Sequence, residues 1–161
     1  GESRITRAGD LKYLEQNTGD KVNFKYVFHT VGPVCKHKRI ISQTEEKKLI
    51  SAYINTIVRA IQFNKDPKNT AYIEFPYVDT IDLEPNYKIK SLSIPPISTG
   101  IFKCDTDNSA EKVSKALVNY LKNKNTKDLK VINLVFFDPV NPSKADKDFD
   151  NYKKALDRFK I

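Results

Sequence analysis

Three small residues, Ser98, Thr99 and Gly100, form the part of this chain best suited to bind a charged ligand. They follow an apolar run that ends at Pro95, and a helix is predicted to start near Asp107. Backbone N–H groups close to a helix start attract phosphate. Glycine permits a positive φ and a close approach, and the two hydroxyls add donors. The segment therefore indicates a phosphate-binding loop, although on these residues alone an ordinary structural turn is the simpler interpretation.

The elements that position this loop alternate between strands and helices. Three segments have the apolar spacing of helices, namely 43–63, 107–122 and 145–159. Four are predicted to be strands, namely 4–8, 25–31, 91–97 and 130–137, and the irregular region 64–90 contains a further strand-like alternation at Tyr72–Phe75. The polar residues 9–23 favour a hairpin or a surface loop, and the almost continuously apolar run 130–137 predicts a strand covered on both faces. This order predicts an α/β fold of three layers, α/β/α, in which ligands bind beyond the carboxyl ends of the strands.

Composition describes one folded domain that spans residues 1–161. Apolar residues make up 39% of the chain and charged residues 30%, and no window is apolar enough to cross a membrane. We expect a monomer without a signal peptide, located in the cytoplasm or the nucleus. Cys35 and Cys104 have neither metal nor redox spacing, so free thiols in a reducing compartment are expected.

The net charge of +8 favours anionic partners such as nucleotides, RNA or poly(ADP-ribose). The lysines, however, are spread along the chain, and the basic clusters 36–39 and 122–125 are short. A generally solvated basic surface is therefore the plainer interpretation, and a polyanion-binding patch is the alternative.

Four further polar residues are assigned structural roles. His29 lies within a predicted strand, where we expect its imidazole to satisfy a buried backbone group rather than act as a base. Asp105 and Asp107 are expected to cap the helix that follows the loop. Thr44 is expected to cap the helix 43–63.

Three segments, taken in order, resemble a macrodomain, the module that holds ADP-ribose. They are Gly1-Glu2-Ser3-Arg4-Ile5-Thr6, the strand end His29-Thr30-Val31-Gly32-Pro33 and the loop Pro96-Ile97-Ser98-Thr99-Gly100-Ile101-Phe102. The resemblance extends from Gly1 to about Phe159. It is strongest to the branch that includes enzymes removing ADP-ribose from proteins.

The resemblance implies a ligand, a site and no cofactor or metal. The ligand would be ADP-ribose or an ADP-ribosylated protein, and the loop would hold the diphosphate and the distal ribose. The residues implied for this role are Ser98, Thr99, Gly100, Ile101 and Phe102. Phe136 or Phe137 would stack on adenine at the end of the last strand; alignment prefers Phe136, and the alternative is that both belong to the core.

The family pattern also contains elements that this sequence does not show. An Asn-Ala-Ala-Asn strand, a Gly-rich loop and an adenine-binding aspartate precede the first matching segment in the family. The chain therefore resembles the carboxyl-terminal three quarters of a macrodomain-like sheet that is N-terminally incomplete, with an insertion at 64–90.

Because of these differences, we expect one activity for the chain alone and another for the chain together with the missing motif. We expect the chain by itself to bind ADP-ribose weakly. Supplied with the missing motif, it is expected to act as a mono-ADP-ribosyl hydrolase. The alternatives are a non-enzymatic module that binds RNA or poly(ADP-ribose), and a phosphatase acting on ADP-ribose 1″-phosphate.

Overall fold

A computed structural model describes most of the chain. The described residues are 2–8, 14–15, 21–22, 24–36, 40–67, 87–124, 126, 128–138 and 140–159. The predicted strand Tyr72–Phe75 and most of the predicted insertion 64–90 lie outside these ranges.

Six strands pair two by two in the described ranges. β1 (Ser3–Arg7) runs antiparallel to β4 (Tyr26–Thr30), with Ile5 opposite Phe28. β2 (Leu14–Glu15) and β3 (Lys21–Val22) form an antiparallel hairpin, which confirms the hairpin interpretation of residues 9–23. β5 (Ser91–Ile94) runs parallel to β6 (Val131–Leu134).

The long helix α1 spans Gln43–Lys65 and begins with a reciprocal cap. The side chain of Ser42 accepts a hydrogen bond from the backbone N–H of Glu45, while Glu45 accepts one from the backbone N–H of Ser42. The expectation that Thr44 caps this helix is wrong, because the capping box uses the residue before the helix and the glutamate three positions later.

Two shorter helices complete the fold. α2 spans Thr106–Lys122, and its N-cap is Asp105, whose carboxylate accepts from the Asn108 N–H over 3.0 Å. α3 spans Pro142–Phe159. The cap predicted at Asp105 is confirmed, whereas Asp107 lies inside the first turn and hydrogen-bonds Asn151 of α3.

The core forms where the three helices pack against one another and against the strands. Leu49, Tyr53 and Ile57 of α1 are fully buried, as are Val113 of α2 and Tyr152 of α3. Apolar side chains repeating at three and four positions place one face of each helix inside. Of the helices in the described ranges, none has the length and apolarity needed to cross a membrane.

The last strand is shorter and more exposed than its sequence suggests. β6 ends at Leu134, and only Ile132 and Leu134 turn towards the core, whereas Val131 is 47% exposed and Val135 44%. The expectation that this strand is covered on both faces is therefore wrong, because its alternate side chains, Val131 and Val135, stay exposed. A continuous apolar run cannot distinguish these two cases.

His29 is also placed differently from expectation. Its ring nitrogen Nε2 lies 2.8 Å from the Thr6 hydroxyl of the neighbouring strand, and the residue is exposed. Within the described ranges, the imidazole thus contacts a side chain of the adjacent strand and satisfies no buried backbone group.

Candidate functional site

The chain between β5 and α2 forms a compact loop, Ser98–Cys104, which we call the 98–104 loop. The Cys104 N–H donates to the Ser98 carbonyl over 2.9 Å, and the Lys103 N–H donates to the Gly100 carbonyl over 3.0 Å. Ser98 and Lys103 have φ values of 65° and 56°. The left-handed conformation suggested for Gly100 therefore occurs at Ser98 and Lys103 instead, and Gly100 keeps an ordinary φ.

The backbone N–H groups from Ser98 to Phe102 are the candidate hydrogen-bond donors of this loop. Among the described residues, none accepts a hydrogen bond from any of these five groups. Gly100 is exposed, Ile101 is 91% exposed, and the exposed Lys103 adds a positive charge to the same loop. Successive free N–H groups in a tight turn create a concave surface that attracts anions.

The two hydroxyls of the loop have different surroundings. Thr99 is buried, and its hydroxyl donates to the Pro96 carbonyl over 3.4 Å, so it supports the loop from inside. The Ser98 hydroxyl oxygen is buried and has no hydrogen-bond partner in the described part of the chain. It lies against Gly32, where a Cβ atom would approach it to 2.2 Å.

A disulfide joins the 98–104 loop to the segment that follows β4. Cys35 and Cys104 are bonded, with their Cα atoms 4.9 Å apart, and the Cys35 N–H donates to the Phe102 carbonyl over 2.8 Å. The expectation of free thiols is wrong, because the fold brings two loops that are distant in sequence to the same place. The cytoplasmic or nuclear location, for which free thiols were one argument, stays a prediction.

The sequence contained a signal for this bond. Each cysteine follows shortly after a glycine-containing loop at the end of a strand, and the chain has two cysteines in all. Strands of an α/β sheet bring such loops to one edge, and two cysteines in such loops therefore favour a disulfide.

Tyr53 of α1 anchors the start of the same loop. Its hydroxyl oxygen accepts a hydrogen bond from the Ile97 N–H over 2.8 Å and lies 3.1 Å from the Tyr152 hydroxyl of α3. Burial raises the pKa of Tyr53 above its ordinary value, and burial beside Tyr53 raises the pKa of Tyr152 well above its ordinary value. Both hydroxyls therefore stay protonated at neutral pH and act as hydrogen-bonding groups inside the core.

The two phenylalanines after β6 point in different directions. The Phe136 ring packs 5.2 Å from the Tyr152 ring and 5.9 Å from the Phe149 ring, centroid to centroid. Phe137 is 81% exposed. Only one of the two rings therefore packs against α3, and the other is accessible.

A cleft of about 460 Å³ separates β4 from β5 and reaches the base of the 98–104 loop at Pro95 and Ile97. Its floor includes Thr56, whose hydroxyl lies 2.8 Å from that of Thr30. The other residues that line it are mostly apolar: Phe24, Lys25, Tyr26, Val27, Phe28, Tyr87, Ile89, Ser91, Leu92, Ser93 and Ile94.

This arrangement is suited to binding rather than to proton transfer. The 98–104 loop offers backbone donors and one lysine, whereas the Ser98 hydroxyl is buried against Gly32. Within the described ranges, no group of three or more His, Cys, Asp or Glu residues could hold a metal ion. The loop can therefore surround an anion, and it presents no acid–base pair of its own.

Comparison with known proteins finds relatives that match most of the chain. Residues 1–80 match the family model described as the Macro domain. A macro domain-containing protein of Caldanaerobacter subterraneus subsp. tengcongensis is 26% identical over 159 residues, which cover 99% of this chain and 63% of that protein. An ADP-ribose glycohydrolase of Archaeoglobus fulgidus is 27% identical over 150 residues, covering 93% of this chain and 58% of that protein.

The structural comparison shows the same fold. The macrodomain of Oceanobacillus iheyensis, solved with ADP, matches with a TM-score of 0.56 at 20% identity, covering 98% of this chain and 57% of that one. A point mutant of the same macrodomain, solved with ADPR, matches with a TM-score of 0.56 at 19% identity, covering 98% of this chain and 59% of that one. The chain spans less than two-thirds of the length of each of these relatives.

Proposed function

Because the chain belongs to the macrodomain family, we propose that it binds ADP-ribose, and ADP-ribosylated proteins, through the 98–104 loop. The observation that carries the proposal is the row of five backbone N–H groups, Ser98 to Phe102, that find no acceptor among the described residues. A diphosphate offers the oxygens that such a row can hold. The neighbouring Lys103 contributes a charge of the right sign.

The rigid attachment of the loop supports this assignment. The Tyr53 hydroxyl fixes its start, the Cys35–Cys104 disulfide fixes its end, and the Cys35 N–H holds the Phe102 carbonyl. A loop held in place before the ligand arrives loses less conformational entropy on binding, which favours affinity.

The adenine end of the ligand is assigned to the segment after β6. Phe137 is exposed and free to stack, whereas the Phe136 ring already contacts Tyr152 and Phe149. Phe136, the residue preferred by alignment, stays a prediction, and separate Phe136→Ala and Phe137→Ala variants would show which ring contacts the ligand.

Hydrolysis of the ADP-ribose linkage is proposed only for the loop acting together with further polypeptide. Two of the relatives are named ADP-ribose glycohydrolase and protein-ADP-ribose hydrolase, and this chain covers 58% and 42% of them. The 98–104 loop would orient the ligand, while the group that positions the attacking water would come from elsewhere.

Titration calorimetry with ADP-ribose tests the binding proposal through Gly100→Glu. No atom lies within 4 Å of a Cβ added at Gly100, so the fold has room for the new side chain. Its carboxylate would meet the ligand's diphosphate and should abolish binding. Gln62→Glu, which adds the same charge at an exposed position of α1, should bind like the unaltered chain.

Circular dichroism and thermal melting establish that both variants are folded. A folded Gly100→Glu protein with unchanged affinity would show that the loop does not hold the diphosphate. Failure of the unaltered chain to bind would contradict the proposal as a whole.

The net charge of +8 supports RNA or poly(ADP-ribose) as a second candidate ligand. Salt dependence separates the two. Binding to a polyanion should weaken steeply between low and physiological salt because counterions are released. A loop that holds one diphosphate should respond mildly.

A further inference from the structure

The 98–104 loop is closed by hydrogen bonds from two cysteines that are bonded to each other. The Cys104 N–H donates to the Ser98 carbonyl over 2.9 Å, and the Cys35 N–H donates to the Phe102 carbonyl over 2.8 Å. Ser98 and Phe102 are the first and last residues of the row of backbone N–H groups assigned to the ligand. The disulfide therefore connects the two residues whose N–H groups fix both ends of this row.

The closed loop contains residues in an unfavourable backbone conformation. Ser98 and Lys103 have φ values of 65° and 56°. A residue with a side chain rarely adopts this left-handed region, because its Cβ atom comes close to the following carbonyl oxygen. The Ser98 hydroxyl is in addition buried without a hydrogen-bond partner among the described residues. Surrounding contacts must therefore hold the loop in its closed form.

The bond attaches the loop to the start of α1. The backbone N–H of Lys36, the residue after Cys35, donates to the Glu45 carboxylate over 2.9 Å. Glu45 is buried and also forms the capping box of α1 with Ser42. Cys35 is thus held by a long helix that is separate from the loop, and the disulfide extends this support to Cys104.

We propose that the Cys35–Cys104 disulfide is a redox switch for the 98–104 loop, in which the oxidised chain binds ADP-ribose well and the reduced chain binds it weakly. The inference rests on the proposed function, because the property that changes is the affinity for ADP-ribose. Without the bond, Ser98 and Lys103 can relax to ordinary φ values and the row of donors loses its fixed shape. The ligand must then restore the closed loop, which lowers its affinity.

The reductant is a dithiol, and the reaction is thiol–disulfide exchange. A thiolate of the dithiol attacks one sulfur of the bridge, forms a mixed disulfide and displaces the other cysteine as a thiolate, which takes up a proton. The second thiol of the reductant then displaces the first cysteine in the same way. Two electrons and two protons pass to the chain, and the dithiol leaves as a disulfide.

Bound ADP-ribose should protect the disulfide. Both cysteines are buried, whereas their neighbours Val34 and Lys103 are exposed, so local opening of the loop is enough to admit a reductant. Ligand binding and oxidation state are linked. The factor by which reduction weakens ADP-ribose binding is therefore also the factor by which saturating ADP-ribose favours the oxidised form.

Titration calorimetry with ADP-ribose tests the proposal on the full 161-residue chain, oxidised and after reduction by dithiothreitol. The reduced chain should bind about 10-fold more weakly. The double variant Cys35→Ser with Cys104→Ser should bind like the reduced chain, and dithiothreitol should not change its affinity.

A redox titration gives a second, independent measurement. The oxidised fraction of the chain is determined by thiol labelling in mixtures of reduced and oxidised dithiothreitol, with and without saturating ADP-ribose. The ligand should shift the equilibrium towards the disulfide by about 10-fold. Gly100→Glu, which should not bind the ligand, should show no shift.

A pair of variants at Lys103 tests the role of the left-handed conformation. Lys103→Gly allows a positive φ without a Cβ atom, so the closed loop should persist better after reduction. The ratio of oxidised to reduced affinity should therefore be smaller than in the unaltered chain. Lys103→Gln removes the charge but keeps the Cβ atom, and it should keep the full ratio.

Amide hydrogen exchange of Leu49 and Ile57 in α1 establishes whether the reduced chain is folded. Slow exchange at both, together with weaker binding, supports the switch. Rapid exchange at both after reduction would show that the bond only keeps the chain folded, and this would overturn the proposal. Equal affinity of the oxidised and reduced forms would overturn it as well and leave the proposed function intact. Failure of both forms to bind would contradict the proposed function, and the switch with it.

Discussion

The Tyr53 hydroxyl oxygen accepts a hydrogen bond from the backbone N–H of Ile97 over 2.8 Å, so a residue buried in α1 fixes the chain immediately before the 98–104 loop. Tyr53→Phe would leave this N–H without its partner and should destabilise the fold by about 1–3 kcal/mol. ADP-ribose affinity should fall as well, because the start of the loop is released.

The matched control is Tyr152→Phe. It removes the other hydroxyl of the pair and leaves the bond from Ile97 to Tyr53 in place. Denaturant unfolding should show that both variants are less stable, whereas calorimetry should show reduced affinity only for Tyr53→Phe. Equal loss of affinity in the two variants would contradict a specific anchoring role.

The same pair of tyrosines should make the fold sensitive to alkali. Burial raises the pKa of both hydroxyls above 10, so the folded chain keeps protons that the unfolded chain loses. The contribution of this pair to the free energy of unfolding should therefore be constant below about pH 10 and fall as the pH rises beyond it.

Urea unfolding between about pH 8 and 11 would measure this slope. The double variant with Phe at positions 53 and 152 should lose most of it. A smaller slope should remain in the double variant because burial also raises the pKa of Tyr120. An identical slope in the double variant would show that the pair does not cause the effect.

Gly32→Ala should disturb the 98–104 loop from the segment that follows β4. The new Cβ would lie 2.2 Å from the Ser98 Oγ and 2.4 Å from the Ile97 Cγ2, so both side chains would have to move. A loss of stability of about 1–3 kcal/mol is expected, together with weaker ADP-ribose binding.

Gly100→Ala is the control for Gly32→Ala, since no atom lies within 4 Å of a Cβ added at Gly100. Its stability should stay within about 0.5 kcal/mol of the unaltered chain. Thermal melting of both variants checks the contrast, and equal melting temperatures would argue against close packing at Gly32.

Reduction of the Cys35–Cys104 disulfide should lower stability. The bond joins residues 69 apart in sequence, and a loop of that length corresponds to about 4 kcal/mol in the chain-entropy description. Melting with and without dithiothreitol measures the effect, and a variant with Ser at both positions should be insensitive to the reductant. Detection of two free thiols in the untreated, denatured protein would contradict the prediction.

Much of the secondary structure could be predicted from local sequence. The helix predicted at 107–122 is observed as Thr106–Lys122, and the one predicted at 43–63 extends two residues further, to Lys65. Apolar spacing fixes such elements because one face must be buried. The observed helix α3 starts at Pro142 rather than at the predicted Ala145, although proline at a first helical position after Asn141 is a recognised start signal.

The candidate site is harder to predict from sequence than the secondary structure, because it depends more on tertiary contacts. The loop 98–102 was identified from its small residues, but its left-handed residue is Ser98, where closure by the Cys104 N–H determines the conformation. The pairing of Cys35 with Cys104 and the anchoring by Tyr53 both join residues more than 40 positions apart. Local patterns report propensity and amphipathicity, and they do not report which distant groups meet.

The Cys35–Cys104 bond also turns the middle of the chain into a covalent ring. The ring contains α1 and β5, and it includes residues 68–86. A single backbone cut inside the ring opens it and leaves one molecule, whereas a cut outside it releases a fragment. A protease site introduced within 68–86 should therefore yield two pieces that separate on a denaturing gel only after reduction. Until then β4 and β5 stay tethered across the cleft.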